Sequence, residues 1–114
     1  MSLSPEVNRL NGDLQIEEVI SSSGVTAMLL SGEVDLRGRD KLTEAVQRVC
    51  GQAAFDVIVD LSGVEFMDAT GLNALVLAQR LCDRSGVELL VTGASTRIRQ
   101  MFSIAGDDRT LTIL

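Results

Sequence analysis

The chain has 114 residues, of which 46% are hydrophobic and 23% are charged, a balance that is typical of one globular domain and disfavours a disordered or fibrous chain. Its formal net charge of −6 disfavours a nucleic-acid-binding surface, because phosphate contacts require clustered Lys and Arg. We therefore expect a basic or nucleotide-handling protein as the partner and no direct contact with nucleic acid.

Several residue types on which catalysis usually depends are missing. The sequence contains no His, Tyr or Trp, so neither a Ser-His-Asp nor a Cys-His nucleophile can be assembled, and the commonest transition-metal ligand is lacking. Neither of the phosphate-binding patterns GxxxxGK[ST] and GxGxxG occurs. We therefore expect a binding or switching protein that is not an enzyme and that uses no cofactor or metal.

The N-terminus and the apolar runs bear on location. Residues 1–12 have no basic start followed by an apolar stretch, so they do not predict a secretory signal, and their opening residues are compatible with a cloning remnant. No apolar run approaches the roughly 18 residues that span a bilayer. The sequence predicts a cytoplasmic protein without membrane insertion, with an N-terminal segment at 1–12 and one domain at 13–114.

The first half of the domain predicts a hairpin, a helix and a strand. Apolar and polar residues alternate from Leu14 to Ile20, the turn residues 21–24 follow, and a second extended run begins at Val25. After Gly38 the apolar residues have the spacing of an amphipathic helix; they are Leu42, Ala45, Val46, Val49 and Cys50. "FDVIVDL" at 55–61 is a continuous apolar run, which predicts a strand covered on both faces.

The second half continues the alternation of helices and strands. A broadly apolar helix is predicted from Thr70 to about Arg84, then the strand "VELLVTG" at 87–93, a helix that Ser95 or Thr96 caps, and a last strand "TLTIL" at 110–114. The order β-β-α-β-α-β-α-β predicts an α/β domain with a mixed, mainly parallel sheet of about five strands and three or more helices. Partners usually bind beyond the carboxyl ends of parallel strands, where residues 62–70 are predicted to form a loop.

Two features allow more than one interpretation. Cys50 and Cys82 lie on separate predicted helices without CxxC spacing, which favours buried free thiols over a disulfide or a metal pair. At the joint before the second helix, either Asp68 or Thr70 is suited to be the N-cap. Alternatively, Thr70 presents its hydroxyl at the helix N-terminus, where backbone amides and the helix dipole attract a phosphate.

Two stretches carry a resemblance to a family. "GEVD" at 32–35 and "DVIVDLSGVEFMDATGLNAL" at 56–75 resemble the STAS domain of bacterial anti-sigma factor antagonists, and the predicted element order agrees with it over nearly the whole chain. The resemblance implies that an ATP-binding, kinase-like anti-sigma factor phosphorylates Thr70. This chain has Thr where the best-known members have Ser, and Ala69 where a second Ser commonly precedes that position.

The resemblance also implies a partner-switching cycle. The unphosphorylated protein would hold the anti-sigma factor and free a sigma factor, phosphorylation of Thr70 would end that hold, and a separate phosphatase would reset it. The implied interaction face comprises Asp35, Asp68, Ala69, Thr70 and Gly71. Glu33 and Asp68 are candidates to form an acidic patch with Asp35, although such a charge cluster is more often solvated surface. Asp35 is equally well explained as a cap or turn residue before the first helix.

A second function comes from another class of protein. Small STAS proteins also serve as cytoplasmic subunits of transporters, including lipid ABC systems, without a phosphorylation cycle. Genes for a kinase-fold regulator or a sigma factor beside this one would favour the switch, whereas permease and ATPase genes would favour the transporter. The sequence does not specify the oligomeric state, the sigma factor or the signal.

Overall fold

The computed structural model describes residues 13–52, 56–106 and 111–114, so the predicted N-terminal segment at 1–12 lies outside the described residues. The strands are β1 (Gln15–Ile20), β2 (Thr26–Val34), β3 (Val57–Met67), β4 (Leu89–Thr92) and β5 (Thr112–Ile113). The helices are α1 (Leu36–Gln52), α2 (Ala69–Arg84) and α3 (Thr96–Ala105). The predicted element order is confirmed.

The five strands form one sheet in the order β1-β2-β3-β4-β5. β1 pairs antiparallel with β2, and the three remaining pairs are parallel, which confirms the mainly parallel sheet with an antiparallel edge. Right-handed crossovers between successive parallel neighbours place the connecting helices on one face of the sheet.

Burial along the strands shows which face is covered. Alternate residues of β2, β3 and β4 are fully buried, among them Met28, Val59 and Val91, and Phe102 of α3 packs into the same core. Ile58, between two buried neighbours of β3, is only partly buried. The prediction of a strand covered on both faces is therefore wrong, because the helices cover a single face and the central strand needs only one apolar side.

Two predicted boundaries also change. α1 begins at Leu36, so Gly38 lies inside the helix. β3 continues to Met67, so most of the predicted loop at 62–70 is strand. β4 pairs with β3 only as far as Asp60. Beyond that point β3 pairs with β2 alone, the pairing register of these two strands shifts, and the apolar pattern of β3 breaks at Ser62.

The structure corrects the interpretation of the two cysteines. Both are buried, as predicted, but Cys50 of α1 is bonded to Cys82 of α2, so the expectation of free thiols is wrong. Their Cα atoms lie 5.6 Å apart, within the usual range for a disulfide. Sequence spacing could not show this pairing, because the residues are 32 positions apart and only the packing of α1 against α2 brings them together.

We expect reduction of Cys50–Cys82 to lower the melting temperature. Closing a loop across 32 residues restricts the unfolded chain, which corresponds to about 3–4 kcal/mol of stability in the loop-entropy account. Thermal melts with and without reductant measure the difference, and a variant with both cysteines changed to Ala should not respond to reductant. Alkylation of both thiols in unreduced protein, seen by mass spectrometry, would contradict the bond.

A buried glutamine on α2 lacks one of its hydrogen-bond partners among the described residues. Gln79 is 5% exposed; its Nε2 donates to Asp83 Oδ1 at 3.2 Å, while its Oε1 has no partner among the described residues. Because an unpartnered buried acceptor is costly, we expect Gln79→Met to raise the free energy of unfolding by about 1 kcal/mol. Denaturant unfolding tests this, with Gln47→Met on the exposed side of α1 as the control that should change little.

Candidate functional site

The predicted interaction residues meet at the carboxyl ends of β2 and β3. Val34, the last residue of β2, is in register with Met67, the last residue of β3. The backbone N–H of Asp68 donates to the Val34 carbonyl oxygen at 3.3 Å, which joins the start of α2 to the end of β2. Asp35 directly follows Val34, so the parallel pairing brings Asp35 to the same edge as residues 68–71.

Asp68 is the N-cap of α2. Its backbone is extended, its Oδ1 accepts from the Gly71 N–H at 3.0 Å, and its carbonyl oxygen accepts from the Leu72 N–H at 3.0 Å. Of the two capping residues that the sequence allowed, the structure therefore selects Asp68. This leaves the Thr70 hydroxyl without a capping role.

Gly71 allows the first turn of α2 to lie against β2. A Cβ at this position would overlap the carbonyl oxygen of Val34 and would lie 2.9 Å from its carbonyl carbon. Gly71 is buried, so it positions the neighbouring residues through close packing. Its direct contact with a partner stays a prediction.

Ala69 and Thr70 are the first two residues of α2. Ala69 is exposed, Thr70 is partly exposed, and no hydrogen bond to the Thr70 hydroxyl occurs within the described parts of the chain. The positive end of the helix dipole would favour a phosphate on this hydroxyl, whereas the Asp68 carboxylate two residues away would oppose it. Thr70 thus presents a hydroxyl that has no hydrogen-bond partner among the described residues, and the helix dipole offsets part of the negative charge of the neighbouring Asp68.

Asp35 is partly buried and has a structural role. Its Oδ1 accepts from the Arg37 backbone N–H at 3.0 Å, and its Oδ2 accepts from Arg37 Nη2 at 3.1 Å. The hydrogen bond from the Arg37 side chain, together with the positive charge of that residue, holds the pKa of the Asp35 carboxyl below its usual value. The local geometry thus agrees with the interpretation of Asp35 as a cap or turn residue before α1.

Arg37 is the residue that the sequence interpretation missed. Its Nη2 also lies 3.1 Å from Glu33 Oε1, and its Nη1 lies 3.8 Å from Asp13 Oδ1. The proposed acidic patch of Glu33 and Asp35 is therefore neutralised in part by a central guanidinium. The four-residue spacing between Glu33 and Arg37 was the available signal, although it becomes useful only when the start of α1 at Leu36 is known.

We expect Asp35→Ala to lower the free energy of unfolding by about 1 kcal/mol, the usual effect of losing a cap acceptor, while Asp35→Asn keeps the acceptor and loses less. The pKa of Asp35 is lowered by folding, so its charge stabilises the protein at neutral pH, and this contribution is lost as the pH falls through the folded pKa. The difference between wild type and Asp35→Asn should begin to shrink as the pH falls towards the ordinary Asp pKa of about 3.9, and should vanish only below the lowered pKa of the folded protein. Unfolding curves recorded from pH 7 to pH 3 test this; equal stability of all three proteins at pH 7 would contradict it.

Two further observations concern ligands and membranes. Across residues 13–52, 56–106 and 111–114, no group of three or more His, Cys, Asp or Glu side chains is arranged to hold a metal ion. In the same ranges, none of the helices has the length and apolarity needed to cross a membrane.

The fold is that of a small α/β domain in which Asp35 and the capped start of α2 lie together at the carboxyl ends of β2 and β3. The family described as "Mlab, STAS domain" matches residues 17–114. An anti-sigma-B factor antagonist of Staphylococcus aureus is 31% identical over 77 residues, which cover 68% of this chain and 71% of that protein. The chain belongs to the STAS family of anti-sigma factor antagonists.

Solved structures support the fold. An anti-sigma factor antagonist from Mycobacterium paratuberculosis superposes with a TM-score of 0.79 at 22% identity, covering 90% of this chain and 86% of the other. The phosphorylated form of SpoIIAA, a Bacillus cell fate determinant, superposes with a TM-score of 0.67 at 16% identity, covering 88% of this chain and 91% of the other. At these identities the likeness establishes the STAS fold.

Proposed function

We propose that this protein binds a kinase-like anti-sigma factor while Thr70 is unphosphorylated, that this binding frees a sigma factor, and that phosphorylation of Thr70 ends it. The carrying observation is that Asp68 caps α2 and leaves the Thr70 hydroxyl unengaged at the helix N-terminus. The anti-sigma-B factor antagonist from Staphylococcus aureus and the phosphorylated STAS structure from Bacillus support this reading.

A phosphate on Thr70 would act on the partner contact more than on the fold. It adds about −1.5 to −2 charge at pH 7 and three acceptor oxygens to a partly exposed position. The dipole of α2 offsets part of the repulsion from Asp68, so the domain should stay folded. A partner surface fitted to a neutral hydroxyl would instead have to desolvate a dianion, which is strongly unfavourable.

The other interface residues have distinct roles in this proposal. Asp68 and Gly71 fix the direction of the first turn of α2 through the cap and the close approach to Val34. Ala69 is small and exposed, which lets a partner backbone approach the hydroxyl. Asp35, held by Arg37, extends the surface along the same sheet edge.

The partner supplies the chemistry in this cycle. The anti-sigma factor binds the ATP and transfers the phosphoryl group, and a separate phosphatase removes it, so this chain acts in the cytoplasm as substrate and binding partner and not as an enzyme. Its own contribution is the acceptor hydroxyl, the helix N-terminus around it and the surface that docks the kinase-like partner.

The decisive experiment is phosphorylation of the intact protein. The cognate kinase-like anti-sigma factor, purified from the same organism, is incubated with ATP and this protein, and the modified residue is mapped by mass spectrometry. We expect one phosphate, on Thr70, and none on Thr70→Ala. Absence of modification together with absence of a complex would contradict the proposal and favour a transporter subunit.

A further inference from the structure

A groove lies between the end of β3 and α3. It exists because β4 stops at Thr92, opposite Asp60, while β3 continues to Met67, so that the far part of β3 has α3 as its neighbour in place of a strand. The groove has a volume of about 350 Å³. Its lining includes Phe66, Met67, Ile98 and Met101, with Glu65 and Arg97 as the charged residues.

Several large apolar residues are exposed in the described parts of the chain, and Phe66 is the one among them that lines the groove. Phe66 is 48% exposed, whereas Phe102 of α3 is fully buried. Met101, also in the groove, is only partly buried, while Met67 and Ile98 form its buried floor. A half-exposed aromatic ring beside an apolar groove that is large enough for a bulky side chain is suited to a contact that a partner completes.

The groove adjoins the Thr70 surface directly. Met67 lines the groove and is followed at once by Asp68, the N-cap of α2. Phe66 is in register with Glu33 of β2, which bonds to Arg37 beside Asp35. A partner that covers Thr70 and Asp35 therefore reaches the mouth of the groove without leaving this edge of the sheet.

The charges of the groove differ from those of the neighbouring cluster around Arg37. Glu65 and Arg97 are both exposed, and neither forms an ion pair with another residue in the described ranges. Charged residues at the rim of a contact orient the partner more than they add affinity. With one unpaired charge of each sign beside its apolar floor, the groove suits an apolar side chain whose neighbours in the partner are polar or charged.

We propose that this groove receives one large apolar side chain of the anti-sigma factor, with Phe66 as the principal contact on this protein. The inference rests on the proposed function and names a second contact for the same partner. The occupant is a segment of that protein that carries a Leu, Ile, Met or Phe anchor and lies beside β3. Phosphorylation of Thr70 would leave this apolar contact chemically unchanged, so release would come from the Thr70 side of the interface.

The test compares groove variants with a matched control. Phe66→Ser removes the aromatic ring, and Met101→Trp fills the groove while keeping it apolar. Ile104→Ser changes the most exposed large apolar side chain of the described residues, which is 88% exposed near the C-terminal end of α3 and absent from the groove lining. Affinity for the purified anti-sigma factor is measured by titration calorimetry, and melting temperatures establish that each variant is folded.

We expect Phe66→Ser and Met101→Trp to bind at least about tenfold more weakly, as for a buried aromatic anchor, and Ile104→Ser to bind within about twofold of wild type. Wild-type affinity in both folded groove variants, with Thr70→Glu still released, would overturn this inference and leave the proposed function standing. Loss of self-association in Phe66→Ser with unchanged affinity would assign the groove to a contact between copies and would also overturn it. Failure of wild type itself to bind would reject the proposed function.

Discussion

Thr70→Glu should weaken binding to the kinase-like anti-sigma factor at least about 100-fold, whereas Thr70→Ala should bind within about threefold of wild type. A carboxylate at this position places an unpaired charge in an interface fitted to a hydroxyl, and like charges or desolvated unpaired charges at interfaces cost several kcal/mol. Stability should change little, because Asp68 is the cap and an acid suits the first turn of a helix. Calorimetric titration of both variants measures the effect.

The control for charge alone is Gln47→Glu, which adds the same negative charge on the exposed side of α1, away from the first turn of α2. It should bind like wild type. Equal affinities for Thr70→Ala and Thr70→Glu would show that the hydroxyl position lies outside the interface. A large fall in melting temperature for Thr70→Glu would instead indicate that the substitution acts through folding.

Gly71→Ala should destabilise the protein by roughly 2–4 kcal/mol and should also weaken binding. The added methyl group would overlap the Val34 carbonyl, so α2 would have to move away from β2, and overpacking against backbone is not relieved by a rotamer change. The loss should outweigh the gain of about 1 kcal/mol that Ala brings to a helix interior. The same movement would shift Asp68 and Thr70, which explains the expected loss of affinity.

Gly51→Ala is the matched control for this substitution. Gly51 lies in the last turn of α1, and a Cβ there would meet nothing within 4 Å. Alanine at this position should leave stability unchanged or raise it by up to about 1 kcal/mol, because helix propensity is the only term that changes. If Gly71→Ala melted at or above the wild-type temperature, the close approach of α2 to Val34 would not constrain the site.

The elements with strong local signals were predicted correctly. The third helix is an example: Ser95 caps α3 by accepting from the Ile98 N–H at 3.2 Å, and Gly106 ends it with φ +78°. The stripe of α1 from Leu42 to Cys50 is buried as predicted. Capping and amphipathic spacing are properties of neighbouring residues, so the sequence alone can express them.

The errors have a common physical origin in contacts between distant parts of the chain. The extension of β3 beyond Asp60 depends on pairing with β2 and carries no continuous apolar signal. Phe66 was therefore read as a loop residue, and the groove beside it was missed. The bond between Cys50 and Cys82 likewise depends on the packing of α1 against α2, because the two cysteines are 32 residues apart in the chain.

The sequence by itself determined the α/β order, the family and the candidate residues around Thr70, because apolar periodicity, cap residues and the 56–75 stretch are all local patterns. The tertiary structure alone decided that Asp68 rather than Thr70 is the cap, that Arg37 neutralises part of the acidic patch, and that Gly71 is a packing residue against Val34. The last of these depends on the distance between β2 and the start of α2, because a Cβ on Gly71 would overlap the Val34 carbonyl. Parallel strand pairing sets that distance, because it aligns the ends of two strands that lie far apart in the chain.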